Sequence, residues 1–506
     1  MKNSLGRFVP AEHKPFFSSD DYKDDSRKCV SKKTKSKKVE FFSSYAEAFD
    51  YFNLKSGMTF SFHHHLRSGD GVINEVAKVI QEKKLKDIHI APSSIFESYT
   101  ELVPCIEGGN ITLIHTSYMN GPVSTVVQKG LLQGELVMQT HGGRARSIES
   151  GELHIDVAFL ATPTVDKLGN GYGAFGKSAC GVLGYAISDL EYADKVILVT
   201  DNLVDALDQI HFSKNFVDAV IVVDKIGNPE GIVSGTTKIT RDPVGLKIAK
   251  DTSILLDKLG LIKNGFSMQT GAGGTSLAVV DYVRSLMKKK NIKGRFASGG
   301  ITSYYVKMLE EGLFENLYDV QCFDLDAVQS VQKNSNHIAI SASKYGNPFE
   351  DSPICEQLDF VILGATEIDL DFNVNVTTDS FGRIIGGSGG HSDIAHGAFC
   401  TVIVSQLIKS RLPIIKEEVQ TISTPGENVD VFVCERGIAI NPIRKDLLEL
   451  LAKKKIPTLT MKQLLDEAHS ITGIPNKIPR SSKRIGLVEY RDGSIIDSLY
   501  QVESNV

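Results

Sequence analysis

The chain has 506 residues, with 56 Lys and Arg against 61 Asp and Glu, a formal net charge of −5. Its 42% apolar and 23% charged residues are ordinary for a soluble globular protein, and the small negative balance gives no reason to expect nucleic acid or a membrane surface as partner. No run of about 18 apolar residues is present, so no membrane span is expected. The opening M-K-N-S-L-G-R-F-V-P lacks the apolar stretch of a secretory leader. Seven scattered cysteines without C-x-x-C read as reduced thiols in a cytoplasmic protein. A chain this long buries a large core without disulfides or metals and has room for two to four domains.

Residues 1–40 are polar and charged, ending in K-C-V-S-K-K-T-K-S-K-K. This composition predicts an extended or poorly ordered arm; D-D-Y-K-D-D offsets the lysines and argues against a nucleic-acid role. From 41 onward strands and helices alternate. Asp87–Ala91, Asn110–Ile114, Val157–Ala161, Lys195–Thr200 and Ala219–Val223 are short, apolar and rich in β-branched residues. Such runs suit strands buried on both faces of a parallel sheet. Val72/Ile73, Val76/Ala77 and Ile80 fall at helical spacing, with Asp70 as the expected N-cap. Later, Val279/Val280, Val283 and Leu286/Met287 repeat that pattern behind Thr275, the expected cap, and Phe360–Leu363 and Thr401–Val404 read as strands.

The chain repeats itself. T-F-S-F-H-H-H-L-R-S-G-D-G-V-I-N-E-V near residue 60 and G-F-S-M-Q-T-G-A-G-G-T-S-L-A-V-V, about 205 residues later, are both strand, glycine turn, helix. Asp156–Asn170 lies over Asp359–Asn373 at nearly the same offset, matching Leu160 with Leu363, Asp166 with Asp369 and Asn170 with Asn373. Two matched pairs predict a duplicated α/β domain with mostly parallel sheets, and a ligand site between the halves. Pro243-Val244-Gly245 and the stretch to Gly265 mark the junction; the halves are drawn as 41–255 and 256–506.

Three glycine turns are candidate sites. Gly271-Ala-Gly273-Gly274-Thr275 lies between a strand and a helix, where free N–H groups suit an anion such as a phosphate or thioester oxygen. Gly386-Gly387-Ser388-Gly389-Gly390-His391 can aim several backbone donors at one oxyanion, with His391 placed to donate, orient or polarise. Gly142-Gly-Arg144-Ala-Arg146 offers two arginines for a carboxylate; solvated loop arginines are the equal alternative. In His63-His64-His65, neighbours on a strand face opposite ways, so no metal is expected there; one histidine turned to a site with Arg67 nearby is preferred. No G-x-G-x-x-G opens a first βαβ unit with a suitably placed acid, so a Rossmann dinucleotide enzyme is weakly supported.

Together these stretches resemble a known family. F-H-H-H-L-R-S-G-D, T-H-G-G-R-A-R-S-I-E-S-G-E-L, I-D-V-A-F-L-A-T-P, G-N-G-Y-G-A-F-G-K-S-A-C-G, A-S-G-G-I-T-S-Y-Y-V-K-M-L-E-E-G and C-E-R-G-I-A-I-N-P are similar to the citrate lyase alpha subunits of the CoA-transferase superfamily, from about residue 41 to the end. The resemblance implies two tandem related CoA-transferase-like domains with the acyl site between them. Many relatives carry G-V-G-G-Q where this chain has Ser388-Gly389-Gly390-His391. Relatives that form a glutamyl-CoA thioester have H-T-E-M where this chain has Ala297-Ser298-Gly299-Gly300, so alignment on Glu310-Glu311-Gly312 puts Gly299 at the nucleophile's position.

The resemblance therefore implies transfer of an acyl group without a covalent enzyme intermediate: a citrate carboxylate attacks the acetyl thioester, giving citryl thioester and acetate. Backbone groups at 271–275 and 387–391 would hold the oxyanions. Ser298, Gly299 and Gly300 would leave space for two acyl groups, and His64, Arg67, Arg144 and Arg146 are candidates for citrate. The thiol would be the phosphoribosyl-dephospho-CoA arm of a carrier-protein (gamma) partner, or acetyl-CoA in its place. A beta subunit that cleaves citryl thioester would complete a cytoplasmic complex, with self-association of this chain inside it. The alternatives are a glutamyl intermediate on Glu367 and a non-catalytic assembly subunit.

Overall fold

The computed structural model describes residues 1–23, 28–36, 38–233, 237–476 and 478–502. The first lobe contributes eight strands: β1 (Glu40–Phe42), β2 (Thr59–Phe62), β3 (Ile88–Pro92), β4 (Ile111–Thr116), β5 (Leu136–Met138), β6 (Val157–Ala161), β7 (Lys195–Thr200) and β8 (Ala219–Val222). They pair in parallel in the order β1-β8-β7-β6-β2-β3-β4-β5. Helix α1 (Val72–Glu82) covers the sheet with Val72, Ile73, Val76, Ala77 and Ile80 buried, as the spacing predicts. Helix α2 (His141–Glu149) follows β5.

After helix α3 (Pro243–Leu259), the second lobe repeats the plan with β9 (Ser267–Thr270), α4 (Gly274–Lys290), β10 (Gly294–Ile301), β11 (Phe314–Cys322), β12 (His337–Ala339), α5 (Ala342–Gly346), β13 (Phe360–Gly364), α6 (His391–Gly397), β14 (Cys400–Val404), β15 (Val431–Cys434) and β16 (Gly437–Ile440). Its sheet order is β12-β11-β10-β9-β13-β14-β15-β16, parallel except for the last pair. Reading β8-β7-β6-β2-β3-β4-β5 against β15-β14-β13-β9-β10-β11-β12 gives one topology twice.

The duplication reaches individual hydrogen bonds. Asp166 accepts from the N–H groups of Leu168 and Asn170 and from Asn170 Nδ2. Asp369 accepts in the same way from Asp371 N, Asn373 N and Asn373 Nδ2. Thr59 N donates to Asp156, and Ser267 N donates to Asp359, each at 2.8 Å. Thr59 is therefore equivalent to Ser267, two residues from the match that the two F-S strings suggest. A two-residue shift keeps every side chain on its face, so the hydrophobic pattern is blind to it.

Four expectations need correction. Helices α1 and α4 start from Gly71 and Gly273 without a side-chain cap, so Asp70 and Thr275 are not caps; Asp70 binds Leu66 N, His65 and Tyr99 instead. The division at 255/256 cuts helix α3, which packs on α4 and β14 of the second lobe. The C-terminal hairpin, β17 (Arg484–Glu489) and β18 (Ile495–Tyr500), leaves the second lobe and extends the first sheet beside β5. The described part of the N-terminal arm (24–27 and 37 lie outside the described residues) is packed, not loose. Val9, Phe16 and Tyr22 are buried, Asn3 binds the carbonyls of Ile495 and Ile496, and Arg7 pairs with Glu418 and Asp497. Among the described residues no helix is long and apolar enough to cross a membrane.

Candidate active site

In an open parallel sheet, ligands gather beyond the carboxyl ends of the strands. Here the carboxyl ends of the two sheets face one another. Gln321, at the end of β11, donates to the carbonyl of His64, just past β2. Thr140, after β5, bridges to Gly389, and His141 N donates to Gly389 O at 2.8 Å. Asp393 on α6 accepts from Thr140 Oγ1 (2.7 Å) and Gly142 N (2.9 Å), which ties the starts of α2 and α6 together. Burial raises the Asp393 carboxyl to about 6.

From the first lobe, β2 stops at Phe62, so the three histidines lie in a turn and not on a strand. All three are buried, and each has a different partner: His63 binds Ala161 O, His64 Nδ1 binds Ser93 Oγ, and His65 Nδ1 binds Asp70. Burial holds His64 well below the usual imidazole range, so its ring is neutral. It packs 4.5 Å from the Tyr185 ring and 6.0 Å from that of His141. Arg67 is in the left-handed region (φ 56°) and is buried. Its guanidinium lies 4.3 Å from the Phe323 centroid, in the second lobe, and 5.7 Å from Phe96, in the first.

The other two arginines are engaged elsewhere. Gly142–Arg146 is not a loop: it lies in α2, capped by Thr140. Arg144 forms a two-pronged buried pair with Asp189 and also binds Ser61 Oγ and Ala91 O. Arg146 pairs with Glu152 and Glu489. A buried guanidinium–carboxylate pair is costly to break, so Arg144 belongs to the first lobe's frame; Arg146, buried itself, meets an exposed carboxylate on Glu152 and a longer 3.5 Å contact to Glu489.

The second lobe brings Ser298, Gly299 and Gly300 to the same junction. The β10–β11 register slips between Gly299 and Gly300, a bulge opposite Asp319–Gln321. Gly299 has φ 108°, and a Cβ there would lie 2.5 Å from Gln269 Nε2; one at Gly300 would overlap the Phe323 ring. The space beside these glycines is therefore filled by Gln269 and Phe323 and is not vacant for an acyl group. Gln269 Nε2 donates to Tyr345 Oη at 2.8 Å. Gln269 Oε1, Ser298 Oγ and His141 Nδ1 are buried without a hydrogen-bond partner among the described residues.

Two glycine turns close the site around β13. Gly271 N donates to Ile362 O, and His391 Nε2 sits 3.0 Å from Gly364 O. Gly273 is exposed and Gly271 and Thr275 half-buried at the start of α4, while Gly274 is pressed against Lys238 O and Thr240. At the other turn, Gly387 packs on Ser117 and Tyr118. Gly389 (φ 50°) gives its N–H to Ser117 O. Ser388 receives His391 N on its carbonyl and Ser392 N on its hydroxyl. His391 uses both ring nitrogens, on Thr424 Oγ1 (2.8 Å) and Gly364 O, and burial lowers it to about 4. It orients the turn, and neither ring nitrogen is left to polarise a ligand.

Glu367 lies on the short strand Glu367–Asp369 and accepts from Asn375 Nδ2, Ser380 Oγ and Gln420 N. Among the described residues the buried group that could hold an ion is Asp319, Cys322 and His337, where the thiol and the imidazole already hydrogen-bond Asp319. Sequence reading missed His141, Tyr185, Gln269, Phe323 and Tyr345. Gln269 and His141 each adjoin a glycine turn that was singled out; the other three carry no local signal.

Two tandem lobes of one α/β topology, with glycine turns and a buried arginine at their facing carboxyl ends, define a CoA-transferase-like protein. Malonate decarboxylase alpha subunit from Acinetobacter baumannii shares this fold, with TM-score 0.64 at 15% identity over 87% of this chain and 93% of that one. The family model for citrate lyase, alpha subunit, matches residues 37–502, and the chain belongs to that family. It is 45% identical to the citrate lyase alpha chain of Haemophilus influenzae, over 91% of this chain and 92% of that protein. With the Escherichia coli alpha chain it shares 41% identity over 90% of each. A Streptococcus mutans citrate lyase alpha subunit, crystallised with citrate, superposes with TM-score 0.94 at 42% identity, covering 99% of this chain and all of that one.

Proposed function

We propose that this chain is the citrate:acetyl-carrier-protein transferase of a citrate lyase complex, working without a covalent enzyme intermediate. The observation that carries the mechanism is at Gly299. No carboxylate stands at that position, and Gln269 fills the space where one would project. The nucleophile then comes from the substrate. A citrate carboxylate oxygen attacks the acetyl carbonyl, the tetrahedral oxyanion collapses, and the C–S bond breaks to release the thiolate. The thiolate attacks the citryl carbonyl of the mixed anhydride, and the C–O bond to acetate breaks. The protein supplies position, electrostatics and exclusion of water.

Arg67 is the arginine for a citrate carboxylate, with the neutral His64 beside it. The open first turn of α4 (Gly273–Thr275) suits the phosphate-bearing end of a CoA-like arm, and the 387–390 turn suits the reacting carbonyl. In this reading the thiol belongs to the phosphoribosyl-dephospho-CoA arm of a carrier (gamma) subunit. A beta subunit cleaves the citryl thioester, and the complex is cytoplasmic and contains more than one copy of this chain. The test is to incubate the full chain with acetyl-carrier protein, or acetyl-CoA, and labelled citrate. Labelled citryl thioester with equimolar acetate is expected; no transfer would leave the assembly-subunit reading. A hydroxylamine- or borohydride-trapped adduct on Glu367 would refute the uncatalysed-by-glutamate route.

A further inference from the structure

The glycine turn has fewer donors than its sequence suggests. Gly389 N is given to Ser117 O, His391 N to Ser388 O, and Ser392 N to Ser388 Oγ. His391 has spent both ring nitrogens. From Gly387 to Ser392, the N–H groups of Gly387, Ser388 and Gly390 have no acceptor among the described residues, and Gly390 is the one that packs on Tyr345. One amide is half of an oxyanion site; such sites pair donors on the point where charge develops.

The second donor stands beside it. Tyr345 is on α5, which Ser341 caps, and its side chain is 2% exposed. Its Oη occupies the place where a side chain on Gly390 would begin, so residue 390 must be glycine. That oxygen accepts from Gln269 Nε2, and its own hydrogen has no acceptor among the described residues. A buried hydroxyl with an unused hydrogen costs free energy unless a ligand receives it. Burial also keeps the phenol well above its ordinary pKa, hence protonated. Gln269 Oε1 and Ser298 Oγ, on neighbouring strands, are also buried without a hydrogen-bond partner among the described residues.

We infer that Tyr345 is a catalytic residue: its phenolic O–H and the Gly390 N–H together receive the oxyanion of the reacting thioester, and Gln269 aims the phenol. The inference rests on the transferase reading. It also gives Gly299 a second role, since the missing side chain is what lets Gln269 reach Tyr345. No covalent bond to the protein forms; the phenol keeps its proton throughout.

The test is transferase kinetics of the full chain with acetyl-CoA and labelled citrate, for the parent, Tyr345→Phe and Gln269→Glu. Tyr345→Phe removes one donor, and kcat is expected to fall about 10²–10³-fold, with KM for citrate within about twofold. Gln269→Glu is nearly isosteric but offers only acceptors, so it takes the phenolic hydrogen; a fall of similar size is expected, and the double variant should be no worse than either single one. Unchanged circular dichroism and citrate affinity separate this from misfolding. Tyr345→Phe with kcat within about threefold of the parent overturns the role of Tyr345 and leaves the transferase reading intact. A Gln269→Glu variant at full rate shows the amide turned the other way, with the phenol already donating, and also overturns it. A parent chain with no transfer removes the reading and this inference together.

Discussion

Replacing Gly299 by alanine asks the structure two separate questions. Residue 299 has φ 108°, a region that strains any residue with a Cβ by roughly 1–3 kcal/mol. The new methyl would also sit 2.5 Å from Gln269 Nε2, so the amide must move and release its 2.8 Å bond to Tyr345. A typical hydrogen bond contributes about 0.5–1.5 kcal/mol net, and leaving a buried partner unsatisfied costs about 1–3. The expected total for Gly299→Ala is about 3–5 kcal/mol, the strain plus about 2 for the stranded phenol. In a Gln269→Ala background the collision is gone and only the backbone strain remains, so the same substitution should cost about 1–3 kcal/mol. The difference, about 2 kcal/mol, is a coupling energy and can be read from a double-mutant cycle. Urea unfolding followed by far-UV circular dichroism suits a chain with 15 tyrosines and no tryptophan. Additive effects within about 0.5 kcal/mol would refute the claim that Gln269 fills the space beside Gly299.

The arginines separate by readout: Arg144→Ala strands Asp189 and should cost about 3–5 kcal/mol in unfolding experiments, whereas Arg67→Lys should raise the citrate KM about 10-fold or more with little loss of stability. Asp166→Ala removes three hydrogen bonds, and Asp369→Ala the equivalent three plus one from Val419 N, so both should destabilise by about 2–4 kcal/mol in denaturation curves, Asp369→Ala at the upper end. For His391, folding lowers the pKa from 6.5 to about 4, so its stabilisation is complete above 6.5 and is lost as pH falls toward 4. Asp393 has the opposite sign: raised from 3.8 to about 6, it contributes most below 3.8 and loses that contribution as pH rises through 6. His391→Gln should therefore flatten the acid limb of a stability–pH profile between 4 and 6.5 by roughly 3 kcal/mol, and Asp393→Asn should lessen the loss on the way up to 6.

Elements that carry their reason within themselves could be read directly. Val157–Ala161 is buried at all five positions, which is why it reads as an unbroken apolar run. The Asp166–Asn170 and Asp369–Asn373 loops repeat because each is a local hydrogen-bonded unit. What could not be read depends on partners far along the chain. Val9, Phe16 and Tyr22 look like stray apolar residues in a charged leader until the hairpin near 484–500 is folded against them. Gly142-Gly143 argues against a helix by propensity, yet the Thr140 cap, the Arg144–Asp189 pair and Asp393 hold one there. Gln269 and Tyr345 are 76 residues apart, and nothing in either neighbourhood announces the other.

Duplication explains why the site is asymmetric. Strands β2 and β9 are equivalent, and so are the segments that leave them at the junction. In the first lobe that segment became His63-His64-His65 followed by Arg67, side chains that present charge and imidazole nitrogens. In the second it became Gly271-Ala-Gly-Gly, which presents only backbone at the mouth of α4. One position in the fold thus faces the junction twice, once with a cation and once with main chain. A two-substrate acyl transfer asks for this pairing: a small polyanion to be held by side chains, and a long thioester arm to be held by main chain. Exchanging the two segments tests the point. If the lobes were interchangeable supports, a swapped chain would keep its transferase activity; the asymmetry requires that it fold, because the strands and their Asp156 and Asp359 anchors remain, and lose both citrate binding and transfer.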